Sequence, residues 1–367
     1  MRSVITGTGS YIPEVIVDNS FFASHDFFDD KHQQIVGAAG EIVKKFEKVT
    51  GIYARRYAKA DLNASDMATE AAKVAIRDAG IDPETIDQII VAHNFGDVTV
   101  DTIQSEAVPA IASRVKRALN IINPSCIAFD LLFGCPGWIQ GVIQADCFIR
   151  SGIASTCLII GTETLSRVID KSDRDSMIFS DGAGAVILQG NQSQDGGILG
   201  SVSHSYCVQE SNFIHMDKAN IPDADPRVRY MKMAGRKVYE FALSKVPAAM
   251  KQCLDDCKVP VESLKKIFIH QANEKMDLAI VKAFYALYDI HDVQEFILPM
   301  NIRELGNSSV ATVPTLLDMV RNGKIAGHSL HPGDIILLAS VGAGMNINAV
   351  CYALPGEQGP ALNPSSD

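Results

Sequence analysis

The sequence predicts an α/β fold made of two copies of one unit, stacked as an αβαβα layered sandwich, and two observations carry that prediction. Short apolar runs rich in Val and Ile alternate with helical stretches, the pattern of sheets covered by helices. One such block also recurs in the second half of the chain at a nearly constant offset. With 367 residues, 47% of them apolar, the chain can bury a large core without a metal or disulfide staple.

In order, strands are expected over 3–12, 87–94, 126–132, 156–163 and 183–190, with helices over 66–80, 105–120 and 137–152 between them. The charged stretch 20–50 reads as helical and as an accessory lobe, and the final residues 355–367 have the composition of a disordered segment. Residues 75–94 overlay 253–272 with Glu84 on Glu262, an offset of 178 that also lays 158–161 over 336–339. At an offset of 171, the helix ending at Arg150-Ser151-Gly152 falls on the one ending at Arg321-Asn322-Gly323. The two halves are expected to divide as 1–190, with the insert at about 20–50, and 191–367.

The net charge of -10 argues against nucleic acid or an anionic membrane as the main partner, because both require a clustered basic excess. No signal-peptide pattern and no apolar run long enough to span a bilayer is present, so a cytoplasmic location is expected. The eight cysteines form no CxxC pair. Neither a zinc site, another metal, a cofactor nor a disulfide framework is expected, and most cysteines should be small buried hydrophobes.

Cys135 stands apart from the others. It follows the apolar run CIAFDLL, lies in a turn marked by Gly134, Pro136 and Gly137, and precedes a helix with the apolar face Ile139, Val142, Ile143. A thiol there sits at the positive end of the helix dipole, which favours thiolate, and the strand-turn-helix setting is that of a nucleophile elbow. A buried structural cysteine is the competing reading. At the offset of 171, Cys135 and Pro136 fall on Gly306 and Asn307. In a pseudo-twofold molecule the two helix starts would meet near the axis, making Asn307 either a site-facing amide donor or a simple helix cap. His270 ends the run KKIFI and opens HQAN. The end of a buried strand is where α/β sheets place ligands. A neutral imidazole there could hold an enolate or thioester oxygen, or be an ordinary core histidine. The stretches FSDGAGAVIL and SVGAGMNINA are not followed by helices, so they are read as backbone approaching the sulfur rather than as phosphate loops.

Taken together, TGTGSYIP, TGIYARRYA, FGCPG, FSDGAGAVIL, MAGRKVYEFA, HQAN, LGNSS and SVGAGMNI occur in the order found in one family. The chain resembles β-ketoacyl-acyl-carrier-protein synthase III and its relatives in the thiolase superfamily over nearly its whole length. The resemblance implies a thiolase-like fold and a homodimer that condenses acyl thioesters borne by an acyl carrier protein or CoA. It implies Cys135 as the acylated nucleophile, His270 and Asn307 as enolate stabilisers, and the N–H groups of Cys135 and Ala343 as the oxyanion hole. Substrate or carrier contacts would fall to Arg174, Arg236, Lys237, Asn273, Lys275 and Lys282. Where the family grips the CoA nucleotide with Trp and Arg, this chain has Lys45 and Val49. The insert and the altered segment 94–117 resemble ketosynthases that form cyclohexanediones or dialkylresorcinols, in which Glu106 would serve as a base reaching the partner's site. A fatty-acid initiation synthase, acyl transfer to an O or N acceptor, and a catalytically inert partner subunit are the alternatives.

Overall fold

The computed structural model describes residues 1–192 and 195–356. The strands are β1 (Arg2–Tyr11), β2 (Val15–Asp18), β3 (Ala54–Tyr57), β4 (Gln88–His93), β5 (Ile127–Leu132), β6 (Thr156–Thr164), β7 (Asp181–Asn191), β8 (Gly197–Ser205), β9 (Ile214–Asp217), β10 (Tyr230–Met233), β11 (Leu264–Ile269), β12 (Ile335–Gly342) and β13 (Asn346–Ala353). The α-helices are α1 (Ala39–Thr50), α2 (Ala64–Ala79), α3 (Ile111–Ala118), α4 (Gly137–Arg150), α5 (Gly235–Asp256), α6 (Glu274–Ala286), α7 (Ile302–Leu305) and α8 (Thr312–Arg321).

Two sheets form the frame, in the orders β1-β7-β6-β4-β5 and β8-β13-β12-β11. In each, the first two pairings are antiparallel and the third is parallel, β4 with β6 and β11 with β12. β4 and β6 are buried along their whole length, which is why both read as unbroken apolar runs rather than as alternation. Helices α4 and α8 pack between the sheets, with Val142, Ala145 and Ile149 meeting Val313, Leu316 and Val320. On the outer faces α2 and α3 cover the first sheet, and α5 and α6 cover the second. The result is the five-layer αβαβα sandwich expected from the sequence.

Local chemistry explains why α2 lies where it does. Asn63 and Asp66 form a reciprocal capping box at its start, and Gly80 ends it in the left-handed conformation. Its alanine face presses on β1 so closely that a methyl group on Gly7 would sit 2.2 Å from the Ala75 carbonyl oxygen. Only glycine permits that approach.

The segment 20–50 departs from the helix expected for it. Only a 3-10 turn (Asn19–Ser24) and α1 are helical. Between them, Asp29 accepts hydrogen bonds from the Lys31 and Gln33 backbone N–H groups, and Gly37 adopts φ +127°. Such side-chain to backbone bonds compete with helix. The 3-10 turn, Phe27 and α1 bury Phe22, Phe27 and Val43 against Met177. Most of the C-terminal stretch expected to be disordered, from 357 on, lies outside the described residues. No helix among the described residues is long and apolar enough to cross a membrane.

Candidate active site

Cys135 occupies the turn between β5 and α4. Gly134 adopts φ +81°, and its carbonyl accepts the Gly137 N–H at 2.8 Å, closing the turn at the start of α4. Across the sheet interface, Gly342 at the end of β12 is pressed against this turn. A Cβ on Gly342 would lie 2.7 Å from both the Cβ and the N of Cys135, and one on Gly134 would lie 3.0 Å from the Ala343 N. The Gly134–Cys135 turn and the Gly342–Ala343 backbone are therefore packed directly against each other. This is the close approach expected of SVGAGMNINA. The glycines of FSDGAGAVIL serve another contact, because Gly184 abuts Pro314 and Thr315 of α8 and not the sulfur.

His270 follows β11, with its N–H donating to the Ala339 carbonyl at 2.9 Å, and its ring is almost wholly buried. Burial, partly offset by the backbone of Ser309, pushes the imidazole from 6.5 down to about 4. It is neutral at physiological pH, as its expected role requires. Asn307 is buried and pinned by its backbone, its N–H donating to the Ile178 carbonyl and its own carbonyl accepting from Ser180 N–H, both at 2.8 Å. Its Oδ1 accepts the Ser309 N–H at 2.8 Å, which fixes which end of the amide is the free donor. Asn307 does not cap α8. A 3-10 turn (Ser309–Ala311) intervenes before that helix begins.

Sequence reasoning passed over Ser309, the residue that joins these groups. Its hydroxyl donates to Cys135 Sγ at 3.3 Å and accepts from Asn94 Nδ2 at 3.0 Å. It also adopts φ +52°, a left-handed backbone rare outside glycine. Asn94 in turn donates to Glu163 Oε1 through its backbone N–H at 3.0 Å and through Nδ2. Glu163, only 2% exposed, has its carboxyl pushed from 4.5 up to about 8, by burial and by the nearby charge of Asp181. The helix dipole does not leave a ready thiolate at Cys135, contrary to the expectation from the sequence. Burial, reinforced by the Glu163 charge and opposed by the Ser309 hydroxyl, raises the Cys135 thiol to about 11.

Two cavities lie near these groups, one reaching Ile178 and Ala272 and the other bordering the turn at Gly134. One, about 570 Å³, is lined by Lys45, Val49, Ile178, Arg174, Arg236, Ala272 and Asn273. Lys45 and Val49 thus stand at this cavity together with Arg174. Asn273 caps α6, its side chain accepting the Met276 N–H at 3.1 Å. Arg236 is 90% exposed and paired with Glu240. Lys237, Lys275 and Lys282 are exposed and do not line the cavity. The second, about 340 Å³, is lined by Asn94, Phe95, Leu132, Phe133, Gly134, Met216, Met231 and Ala343, among others. Glu106 lies elsewhere, half exposed, with its carboxylate paired to Arg114 at 3.1 Å and accepting from Thr99. Among the described residues no cluster of His, Cys, Asp or Glu could hold a metal ion. Of the cysteines, Cys126, Cys157, Cys253 and Cys351 are buried, whereas Cys147 and Cys207 are exposed, so only half fit the expectation of small core residues.

Residues 129–207 match the model of 3-oxoacyl-[acyl-carrier-protein] synthase III, and 254–354 match the model of its C-terminal part. The β-ketoacyl-[acyl-carrier-protein] synthase III of Erythrobacter litoralis is 32% identical, over 95% of this chain and 98% of its own. The chain belongs to the β-ketoacyl-acyl-carrier-protein synthase III family. Solved structures agree. The synthase III of Pseudomonas aeruginosa superposes with a TM-score of 0.78 at 26% identity, covering 97% of this chain and 99% of the other. That of Aquifex aeolicus gives 0.76 at 29% identity, covering 96% and 99%. The protein is a thiolase-fold condensing acyltransferase of the synthase III type.

Proposed function

We propose that Cys135 carries the first acyl group and that His270 and Asn307 hold the charge of the second substrate as the new C–C bond forms. The observation that carries this reading is the convergence on Ser309. One residue touches the thiol, fixes the Asn307 amide and lies beside the His270 ring. The thiolate attacks an acyl thioester, and the N–H groups of Cys135 and Ala343 receive the tetrahedral oxyanion. A malonyl thioester then enters and releases CO2, or a β-ketoacyl thioester gives up its α-proton to a base. The electron pair of the broken bond forms a carbanion whose enolate oxygen accepts from the Asn307 amide and the neutral imidazole. Attack on the acyl-cysteine gives the β-keto product. The apolar cavity beside Gly134 and Ala343 suits the acyl chain, and the one bordered by Lys45, Arg174 and Arg236 suits the pantetheine arm.

An acyl carrier protein is the favoured thioester donor, as the relatives' names indicate. Exposed Arg236, Lys237, Lys275 and Lys282 supply a local basic surface on a chain of net charge -10, which an acidic carrier could use. The protein acts in the cytoplasm as a homodimer of subunits built from halves 1–190 and 191–367. Edge strand β5 supports the pairing, since it leaves Ile127 and Leu132 51% and 70% exposed and invites a second copy. Glu106 is assigned as a base toward the partner's site. Product analysis with paired acyl thioesters tests the core reading. The wild type should yield a condensation product and Cys135→Ala none, and equal product from both would refute it.

A further inference from the structure

We propose that Ser309 and Glu163 form a proton relay for Cys135, in which the buried carboxyl takes the thiol proton during acylation and returns it when the thiolate is released by condensation. This deepens the reading of Cys135 as acyl carrier and rests on it.

The geometry points to a shared proton rather than to a fixed structural bond. The Ser309 hydroxyl lies 3.3 Å from the Cys135 sulfur, and Asn94 Nδ2, bonded both to that hydroxyl and to Glu163 Oε1, holds the carboxyl next to it as a second group that can accept its one proton. Asn94 Nδ2 donates to that same hydroxyl oxygen while holding Glu163 Oε1. A hydroxyl oxygen accepts two bonds and donates one. With the thiol neutral and the carboxylate ionised, S–H donates to Oγ and the hydroxyl donates to the carboxylate. With the proton moved, the carboxylic acid donates to Oγ and the hydroxyl donates to the thiolate. In both arrangements Asn94 fills the second acceptor position, so the oxygen is saturated before and after. Holding this bridge requires Ser309 in its left-handed backbone conformation, which costs on the order of 1 kcal/mol or more.

The proton balance closes over a full cycle. In acylation the Cys135 S–H bond breaks, an O–H bond forms on Glu163, the Cys135 S–C bond forms, and the donor's C–S bond breaks to release its thiolate. In condensation the carbanion takes the acyl carbon and the Cys135 C–S bond breaks. The sulfur then regains its proton from Glu163 through Ser309. No other reactant is consumed by the relay.

Other titratable groups facing the network set its working range. Asp181 on β7, pushed up to about 6 by burial, accepts from Ser166 and from the Ala58 N–H. It lies within reach of the Arg167 charge and places a negative charge beside Glu163. His270, beside the Ser309 backbone, binds a proton only near 4, a far weaker base than the carboxylate at about 8, which leaves Glu163 as the acceptor of the thiol proton.

The test is the pH profile of Cys135 alkylation by iodoacetamide, followed on the Cys135 peptide by mass spectrometry in the full-length protein. The wild type should show a first rise with a midpoint of about 8, from the carboxyl, and a second toward about 11, from the thiol itself. Glu163→Gln keeps the size of the side chain and its acceptor for Asn94. It should lose the first rise and react on the order of 100-fold more slowly at pH 8, the lower end of what a positioned base supplies. Ser309→Ala tests the bridge independently and should behave the same way, and the double variant should be no slower than either. Superposable profiles for wild type and Glu163→Gln overturn the relay, as does a Ser309→Ala profile that keeps the first rise. Alkylation needs no thioester, so the outcomes separate. A wild type that takes up no acyl group overturns the acyl-carrier reading, whereas normal acylation with unchanged variant profiles overturns only the relay.

Discussion

Replacing Glu163 with Gln removes a group that binds its proton far more tightly in the folded chain than in the unfolded one. The carboxyl rises from 4.5 to about 8 because it is buried beside Asp181. Between those values the unfolded chain has released the proton and the folded chain has kept it, so raising the pH favours unfolding. At 1.36 kcal/mol per unit this amounts to roughly 5 kcal/mol of stability, present below pH 4.5 and lost by pH 8. His270 works in the opposite direction between about 4 and 6.5, and Asp181 in the same direction between 3.8 and about 6. Above 6.5 neither contributes, and the Glu163 share of the fall to pH 8 is roughly 2 kcal/mol. Urea unfolding at pH 6.5 and 8, at one fixed protein concentration, measures it as a change in midpoint at constant slope. The wild type should lose about 2 kcal/mol more than Glu163→Gln over that interval. Equal losses in both would refute the assignment of a protonated buried carboxyl.

Further outcomes follow from the same geometry. Asn307→Ala should keep the acyl adduct on Cys135 and lose condensation by 100-fold or so, the usual effect of one oxyanion donor, as separated by intact-mass and product assays. Gly342→Ala forces a methyl group to within 2.7 Å of Cys135. It should cost about 1–3 kcal/mol of stability, read by urea unfolding, and slow alkylation of the thiol. Condensation from pre-acylated enzyme in single turnover should not lose rate through His270 protonation between pH 8 and 5. Protonation of the ring should then abolish it with a midpoint of about 4, and a midpoint at 6.5 would contradict the buried neutral imidazole.

Much of the frame was legible because duplication writes itself into periodicity. The offset of 171 that pairs Arg150 with Arg321 pairs the last residues of α4 and α8, the two helices of the middle layer. Cys135, His270 and Asn307 were open to selection because each lies between two elements, beside a glycine or just past a buried strand end, and because each falls in a motif of the family resemblance. Ser309, Asn94 and Glu163 carry no such mark. They meet from three separate segments, and a buried polar network depends on packing that no local pattern encodes. The helix dipole at Cys135 was legible, whereas the desolvation that outweighs it was not, since it requires knowing what surrounds the sulfur. Residues 25–38 misled for a related reason. Their charges suit a helix, but Asp29 and Gly37 direct the backbone into turns.

The most direct test of the account is peptide mapping after incubation of the full-length protein with an acyl thioester donor alone. The acyl mass should appear on the Cys135 peptide, disappear in Cys135→Ala, and be discharged when a malonyl or β-ketoacyl thioester is added. Label absent from that peptide, or confined to exposed Cys147 or Cys207, would contradict it.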